Sequence, residues 1–324
     1  MMSSTTKTAA ETGIPVGADP APARGGPACP PTAPLHAWMP ASPCGARCVE
    51  TPDSAGVLRV TARAAGVAGL LVAFPLVNLV TPAARRNGLH RRYARTVLRC
   101  CGIGLRVVDE RTAPPPDTGT LVVAGHVGWT DVLALAAVSP MGFVARGDLV
   151  SWPLLGRLAR QMRVIPIDRE RLRQLPEVIE TMSARLAAGE RVAMFPEGTT
   201  WCGRAHGRMR PALFQAAVDS ATPVQPIRLR YVDPDGGVST VPGFVGVDTF
   251  LDSARRVLRS RGVVAELVLL PVEEPGTDRH DLAGRCERAI RGRTEVRIDA
   301  HATAVGTGPT RDIVIAEPAV AHSA

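Results

Sequence analysis

Lysine is all but missing from this chain: of 38 basic residues among 324, only Lys7 is not arginine. Aromatic rings are scarce too, at 4% of residues, and no run interleaves them with basic side chains as base-stacking proteins require. Nucleic acid is therefore not expected as a partner. The opening "MMSSTTKTAAETG" lacks the basic-then-apolar order of a secretory signal. No G-x-S-x-G occurs, which removes the nucleophile elbow of α/β-hydrolase esterases. The seven cysteines are odd in number and scattered, which fits free thiols in a reducing compartment better than a disulfide framework. Cys44 and Cys48 have a spacing found in metal sites, but no second ligand pair follows, and no metal is expected.

What is present is arginine, in a chain of net charge +8 and pI near 9.7. Guanidinium grips phosphate in bidentate fashion, so anionic lipid and an acidic carrier protein both fit. Residues 1–52 are dense in Pro, Ala, Gly, Ser and Thr ("GADPAPARGGPACPPTAPLHAWMPASP") and have no sustained apolar period. They are expected to be disordered, as is a bland tail over 299–324. From Ala64 to Thr81, "AAGVAGLLVAFPLVNLVT" runs for 18 residues without a charge, flanked by Arg59, Arg63, Arg85, Arg86, Arg91 and Arg92. That length is the lower limit for a spanning helix, and Pro75 and Asn78 interrupt it. Spanning and interfacial placements both remain open, with the arginines poised for anionic headgroups. Residues 53–100 are thus read as a membrane-associating helical segment and 101–298 as the catalytic domain.

Within 101–298, short apolar runs alternate with helical ones: "LRVVDE", "GTLVVAG", "GFVAR", "RVIPI", "RVAMF", "PVQPIRLRY" and "VVAELVLLPV" as strands, with "DVLALAAV", "SWPLLGRLARQ" and segments over 176–188, 211–220 and 278–291 as helices. The alternation predicts an α/β fold: a mixed, largely parallel sheet flanked by helices.

In "VVAGHVGWTDVLAL" a lone His126 precedes Asp131 by five positions. Neither a continuous helix nor a plain strand lets side chains five apart share a proton. They meet only if the chain turns between them. Gly125 and Gly128 supply that turn through backbone angles other residues avoid, and Thr130 is placed to cap the following helix. Asp168 and Arg169 follow "RVIPI", and Glu197, Gly198, Thr199 and Thr200 follow "RVAMF". Since the carboxyl ends of parallel strands share one edge, the three clusters are expected to line one cleft.

"GHVGWTD", "RVIPIDRER", "FPEGTT" and "VQPIRLRY", in that order, resemble the four sequence blocks of the glycerolipid acyltransferases, especially the 1-acylglycerol-3-phosphate acyltransferase branch. The resemblance spans roughly Leu105 to Val232. It implies transfer of a fatty acyl group from a thioester, on coenzyme A or acyl carrier protein, to a lysophospholipid hydroxyl at the cytoplasmic face of the cell membrane. It implies no bound cofactor. His126 would be the general base and Asp131 its orienting carboxylate. Arg169, Glu197, Gly198, Thr199 and Thr200 would form the headgroup site, with Glu197 ordering the arginine and its loop. Pro226 would shape the acyl-side wall. Two positions depart from the family pattern: glycines flank the His126 turn where many members carry Asn and Ser, and Thr200 stands where many carry Arg. The lost charge would be replaced by Arg204, Arg208 or Arg210, or else the acceptor differs. A lyso-ornithine lipid is the alternative acceptor; a thioester hydrolase and a non-catalytic membrane-binding protein are the remaining alternatives.

Overall fold

A computed structural model describes residues 40–52, 55–112, 118–147, 163–168 and 171–292. The helix expected from "SWPLLGRLARQ", Arg169 and both chain ends fall outside the described residues. Seven strands form one sheet: β1 (Gly104–Asp109), β2 (Thr120–Ala124), β3 (Gly142–Arg146), β4 (Ile165–Ile167), β5 (Arg191–Met194), β6 (Val224–Val232) and β7 (Val264–Leu269). Their order is β1-β7-β6-β2-β5-β3-β4, and every neighbouring pair is parallel except β6 and β7. All five residues of β2 are buried, as a central strand covered on both faces requires. This is the mixed, largely parallel sheet that the alternation predicts.

Seven α-helices are described: α1 (Val57–Val80), α2 (Ala83–Cys100), α3 (Thr130–Val138), α4 (Leu175–Ala187), α5 (Gln215–Asp219), α6 (Phe250–Arg259) and α7 (Arg279–Arg291). Side chains alternate across each strand, so one face of β2 and β6 (Val122, Ala124, Ile227, Leu229, Tyr231) packs with α2, α3 and α6. The other face (Leu121, Val123, Val224) packs with α4, α5 and α7. α6 has no counterpart in the sequence reading. Its start signal is "TFLD", in which the Thr249 side chain accepts from the Asp252 backbone N–H at 3.2 Å.

α1 runs unbroken through Pro75 for 24 residues, about 36 Å at 1.5 Å per residue. It is the one described helix long and apolar enough to cross a membrane, with mean hydropathy 1.8 and only 6% of its apolar window buried. Asn78 does not interrupt it. Its amide is buried against α2 and its Oδ1 lies 2.8 Å from His90 Nε2. Arg63, expected to face headgroups, turns inward instead. It donates to the Leu258 and Ser260 carbonyls at 2.7 and 2.8 Å, satisfying the end of α6. Gly102, at φ +80°, leaves room for that guanidinium.

Residues 40–52, grouped by composition with the N-terminal region, pack on the segments that follow β5 and β6. Glu50 pairs with Arg204, and its backbone N–H donates to Thr240 Oγ1 at 2.8 Å. The Cys202 N–H donates to Cys44 Sγ at 3.3 Å.

Candidate active site

β2 ends at Ala124, and the chain leaves the sheet through Gly125–Trp129 before α3 begins. Asp131, in the first turn of α3, is fully buried and accepts four hydrogen bonds. Its Oδ2 takes His126 Nδ1 at 2.8 Å, Val127 N at 2.7 Å and Gly128 N at 2.9 Å. Its Oδ1 takes the Tyr231 hydroxyl at 2.8 Å. A carboxylate has no proton to give, so Nδ1 carries the imidazole hydrogen and Nε2 keeps its lone pair. The ring is further held by Phe195, stacked at 4.0 Å and 10°. The His126 side chain is 15% exposed, so it is not sealed from solvent.

The turn works differently from the expectation. Neither Gly125 nor Gly128 has a positive φ. Gly128 is needed for close approach, because a Cβ there would collide with the Pro242 carbonyl oxygen. At Gly125 a Cβ would make only ordinary contact with Glu197. Nor does Thr130 cap α3: it is the first helical residue, and its hydroxyl sits 2.7 Å from that of Tyr231.

Glu197 leaves the neighbouring strand β5, and its Oε2 accepts the His126 backbone N–H at 2.9 Å. Its Oε1 accepts from Arg291 Nη2 at 2.6 Å, with side-chain exposures of 1% and 7%. Burial pushes the Glu197 carboxyl up to about 7, against the pull of the Arg291 charge and the backbone donors at His126 and Gly207. Among the described residues the arginine that Glu197 holds is Arg291, at the end of α7. Arg291 also pairs with Glu287, while Arg228 donates to the carbonyls of Ala289 and Ile290 and so fixes the helix end. His206, in the loop after the Glu-Gly-Thr turn, is pushed down to about 4 by burial and the nearby Arg291 charge.

Gly198 has φ +74°, and a Cβ there would stand 2.7 Å from Pro40 Cγ. Its N–H is engaged by the Phe195 carbonyl at 3.0 Å. The Thr200 hydroxyl donates to the Phe244 carbonyl, and the Trp201 N–H donates to the His126 carbonyl at 2.8 Å, so the loop is clamped onto the His126 turn. Thr199 is half-buried beside them. Of the arginines considered as substitutes for the missing charge, Arg204 is engaged by Glu50. Arg210 lies alongside Gly198, its Cδ 3.8 Å from the space a Cβ would fill, and Arg208 is exposed. Pro226 is buried in β6 opposite Val123, on the sheet face away from Tyr231.

Residues 105–230 match the Acyltransferase family. The 1-acyl-sn-glycerol-3-phosphate acyltransferase of Neisseria meningitidis serogroup B is 32% identical over 210 residues, covering 64% of this chain and 80% of that protein. The lyso-ornithine lipid O-acyltransferase of Pseudomonas aeruginosa is 31% identical over 249 residues, covering 72% of this chain and 93% of that protein. The chain belongs to the acyltransferase family. The crystal structure of the 1-acyl-sn-glycerophosphate acyltransferase from Thermotoga maritima shares the fold, with TM-score 0.55 and 17% identity over 72% of this chain and 92% of that one.

In this acyltransferase, His126, Asp131 and Glu197 stand together at the carboxyl edge of β2 and β5, as parallel neighbouring strands require. Arg291 and Tyr231 are the residues that sequence reasoning missed. Tyr231 lay inside a quoted block with no sign of its role. Arg291 was one of many arginines, on a helix whose docking the sequence does not specify.

Proposed function

We propose that the protein is a lysolipid O-acyltransferase in which His126 is the general base. The observation that carries the reading is the Nδ1-to-Asp131 bond, which in the neutral ring leaves the lone pair on Nε2 to accept a proton. An alcohol is a poor nucleophile at neutral pH. As the acceptor hydroxyl attacks the thioester carbonyl carbon, Nε2 takes its proton. The tetrahedral intermediate then expels the thiolate of coenzyme A or acyl carrier protein, and the imidazolium returns the proton to that sulfur. Asp131 stabilises the imidazolium between these steps without itself becoming protonated.

The acceptor favoured by this reading is 1-acylglycerol-3-phosphate, with Arg169 as the phosphate clamp and the Glu-Gly-Thr turn ordering the loop. α1, with Arg59, Arg85, Arg91 and Arg92 exposed around it, would hold the enzyme on the cytoplasmic face of an anionic membrane. A lyso-ornithine lipid is the second reading. It is favoured by the Thr200 hydroxyl being engaged by Phe244 and by a relative of that name aligning along 72% of the chain. The deciding experiment is acyl transfer by purified protein from labelled acyl-CoA and acyl carrier protein to a panel of both lysolipids. Arg169→Ala should lower kcat/KM for a phosphate acceptor by roughly ten- to a hundredfold, leaving that for the donor intact. Equal losses toward both would misplace the headgroup, and no transfer to either lysolipid would overturn the reading.

A further inference from the structure

Tyr231 is 1% exposed and reaches Asp131 from β6, the strand beside β2. Its hydroxyl meets two oxygens, Asp131 Oδ1 at 2.8 Å and Thr130 Oγ1 at 2.7 Å. The phenol has one proton and the carboxylate has none, so that proton goes to Asp131. The Thr130 hydroxyl must then be the donor to Tyr231. The bonds form a directed chain, Thr130 to Tyr231 to Asp131, ending on the carboxylate that receives His126 Nδ1–H. Whereas Oδ2 takes three donors, the Tyr231 hydroxyl is the donor found on Oδ1 among the described residues.

We propose that Tyr231 is a positioning residue for acyl transfer: its hydroxyl, polarised by Thr130, draws charge from the Asp131 carboxylate and sets how strongly that carboxylate holds the imidazolium. The inference rests on the reading of His126 as base. Burial and the adjoining Asp131 charge hold the phenol well above its ordinary range, so it remains a neutral donor throughout the working pH range. A donor on Oδ1 lowers the negative potential felt at the imidazole. Removing it strengthens the hold on the imidazolium, so the base is lost to protonation at a higher pH. The other ionisable groups acting on this cluster are Cys101 at the end of α2, which burial pushes up to about 12, and Glu197, whose charge and that of Asp131 repel, with its neighbours Arg291 and His206. Their contributions are common to the variants compared.

The test is the pH dependence of kcat and KM for the full chain in mixed micelles of detergent and lysolipid. In Tyr231→Phe the acid limb of kcat should move up by roughly half a unit to one unit, a three- to tenfold change in proton affinity, with both KM values unchanged. Thr130→Val should move the limb the same way by less, and Thr130→Ser should restore it. The chain has only two tyrosines, Tyr93 and Tyr231. The Tyr93 hydroxyl is buried without a hydrogen-bond partner among the described residues, so Tyr93→Phe gives a clean background. Uniform 3-fluorotyrosine in that background places a stronger donor at Tyr231 alone and should move the limb downward, which decides the matter even if Tyr231→Phe fails to fold. An unmoved limb with fluorotyrosine, or lowered melting with an unmoved limb in Tyr231→Phe, overturns the inference. His126→Ala at wild-type rate overturns the base assignment instead, so the two failures are distinguishable.

Discussion

Glu197→Gln offers a direct measure of what the buried ion pair costs the fold. The wild-type carboxyl is 1% exposed and sits at about 7 instead of its ordinary 4.5. Because the folded value lies above the unfolded one, the native state binds the proton more tightly. Its contribution to stability is therefore fully present below about 4.5 and is lost as pH rises through about 7. At about 1.4 kcal/mol per unit, that displacement is worth about 3 kcal/mol. Glutamine has the same shape, keeps an oxygen for the His126 N–H and does not titrate. The stability difference between wild type and Glu197→Gln should thus shift by about 3 kcal/mol in favour of the variant between pH 4.5 and pH 8. Denaturant unfolding in micelles across that range measures it, and taking the difference cancels the other titrating groups. Parallel curves for the two proteins would show that burial does not displace this carboxyl.

Arg291→Met should lose about 3–5 kcal/mol at pH 8 by leaving Glu197 buried and unpaired, and adding Glu197→Gln should recover most of it; equilibrium unfolding of both variants is the check. His126→Ala should fold and lose about 10²- to 10⁴-fold in kcat, and Asp131→Asn should lose less, by labelled-acyl transfer at saturating substrate. Gly128→Ala should cost about 1–3 kcal/mol against the Pro242 carbonyl and reduce kcat by displacing an N–H from Asp131, read by melting and steady-state rate. Removal of residues 1–39 should leave acyl transfer intact, whereas removal through Gly56 should lower it, because Pro40 and Glu50 pack on the Glu-Gly-Thr loop and its continuation. Equal activity of the two truncations would refute that contact's importance.

The His126–Asp131 pair was legible because its logic is local: an apolar run ends, a helix begins, and the four intervening positions must fold back for His126 to meet Asp131. Glu197 was legible because the carboxyl ends of parallel strands share one edge whatever their order; that β5 pairs directly with β2 was not. Tyr231 was not, because nothing in "VQPIRLRY" says that β6 lies beside β2, or which of its alternating residues points at α3. Arg291 was hidden by a composition in which nearly every cation is arginine. Its partner is set by how α7 docks, a matter of packing rather than pattern. Gly128 was singled out for the wrong reason: crowding by Pro242, not backbone angle, demands it. The antiparallel β7 was likewise unreadable, as a buried apolar run carries no direction.

Arg63 joins the apolar α1 to the carboxyl end of α6, and this changes how the helix can be handled. Cutting the chain at Thr81 would remove more than an anchor. It would leave the last carbonyls of α6 without their donor and a void above Gly102, so the trimmed enzyme would begin with a defect some distance from the cut. Water-soluble versions are better sought by replacing the exposed Val72, Leu76, Leu79 and Val80 with polar residues while Arg63 and Phe74 stay in place. The helix is as much a structural brace as a greasy surface, and only the second property is dispensable in a test tube.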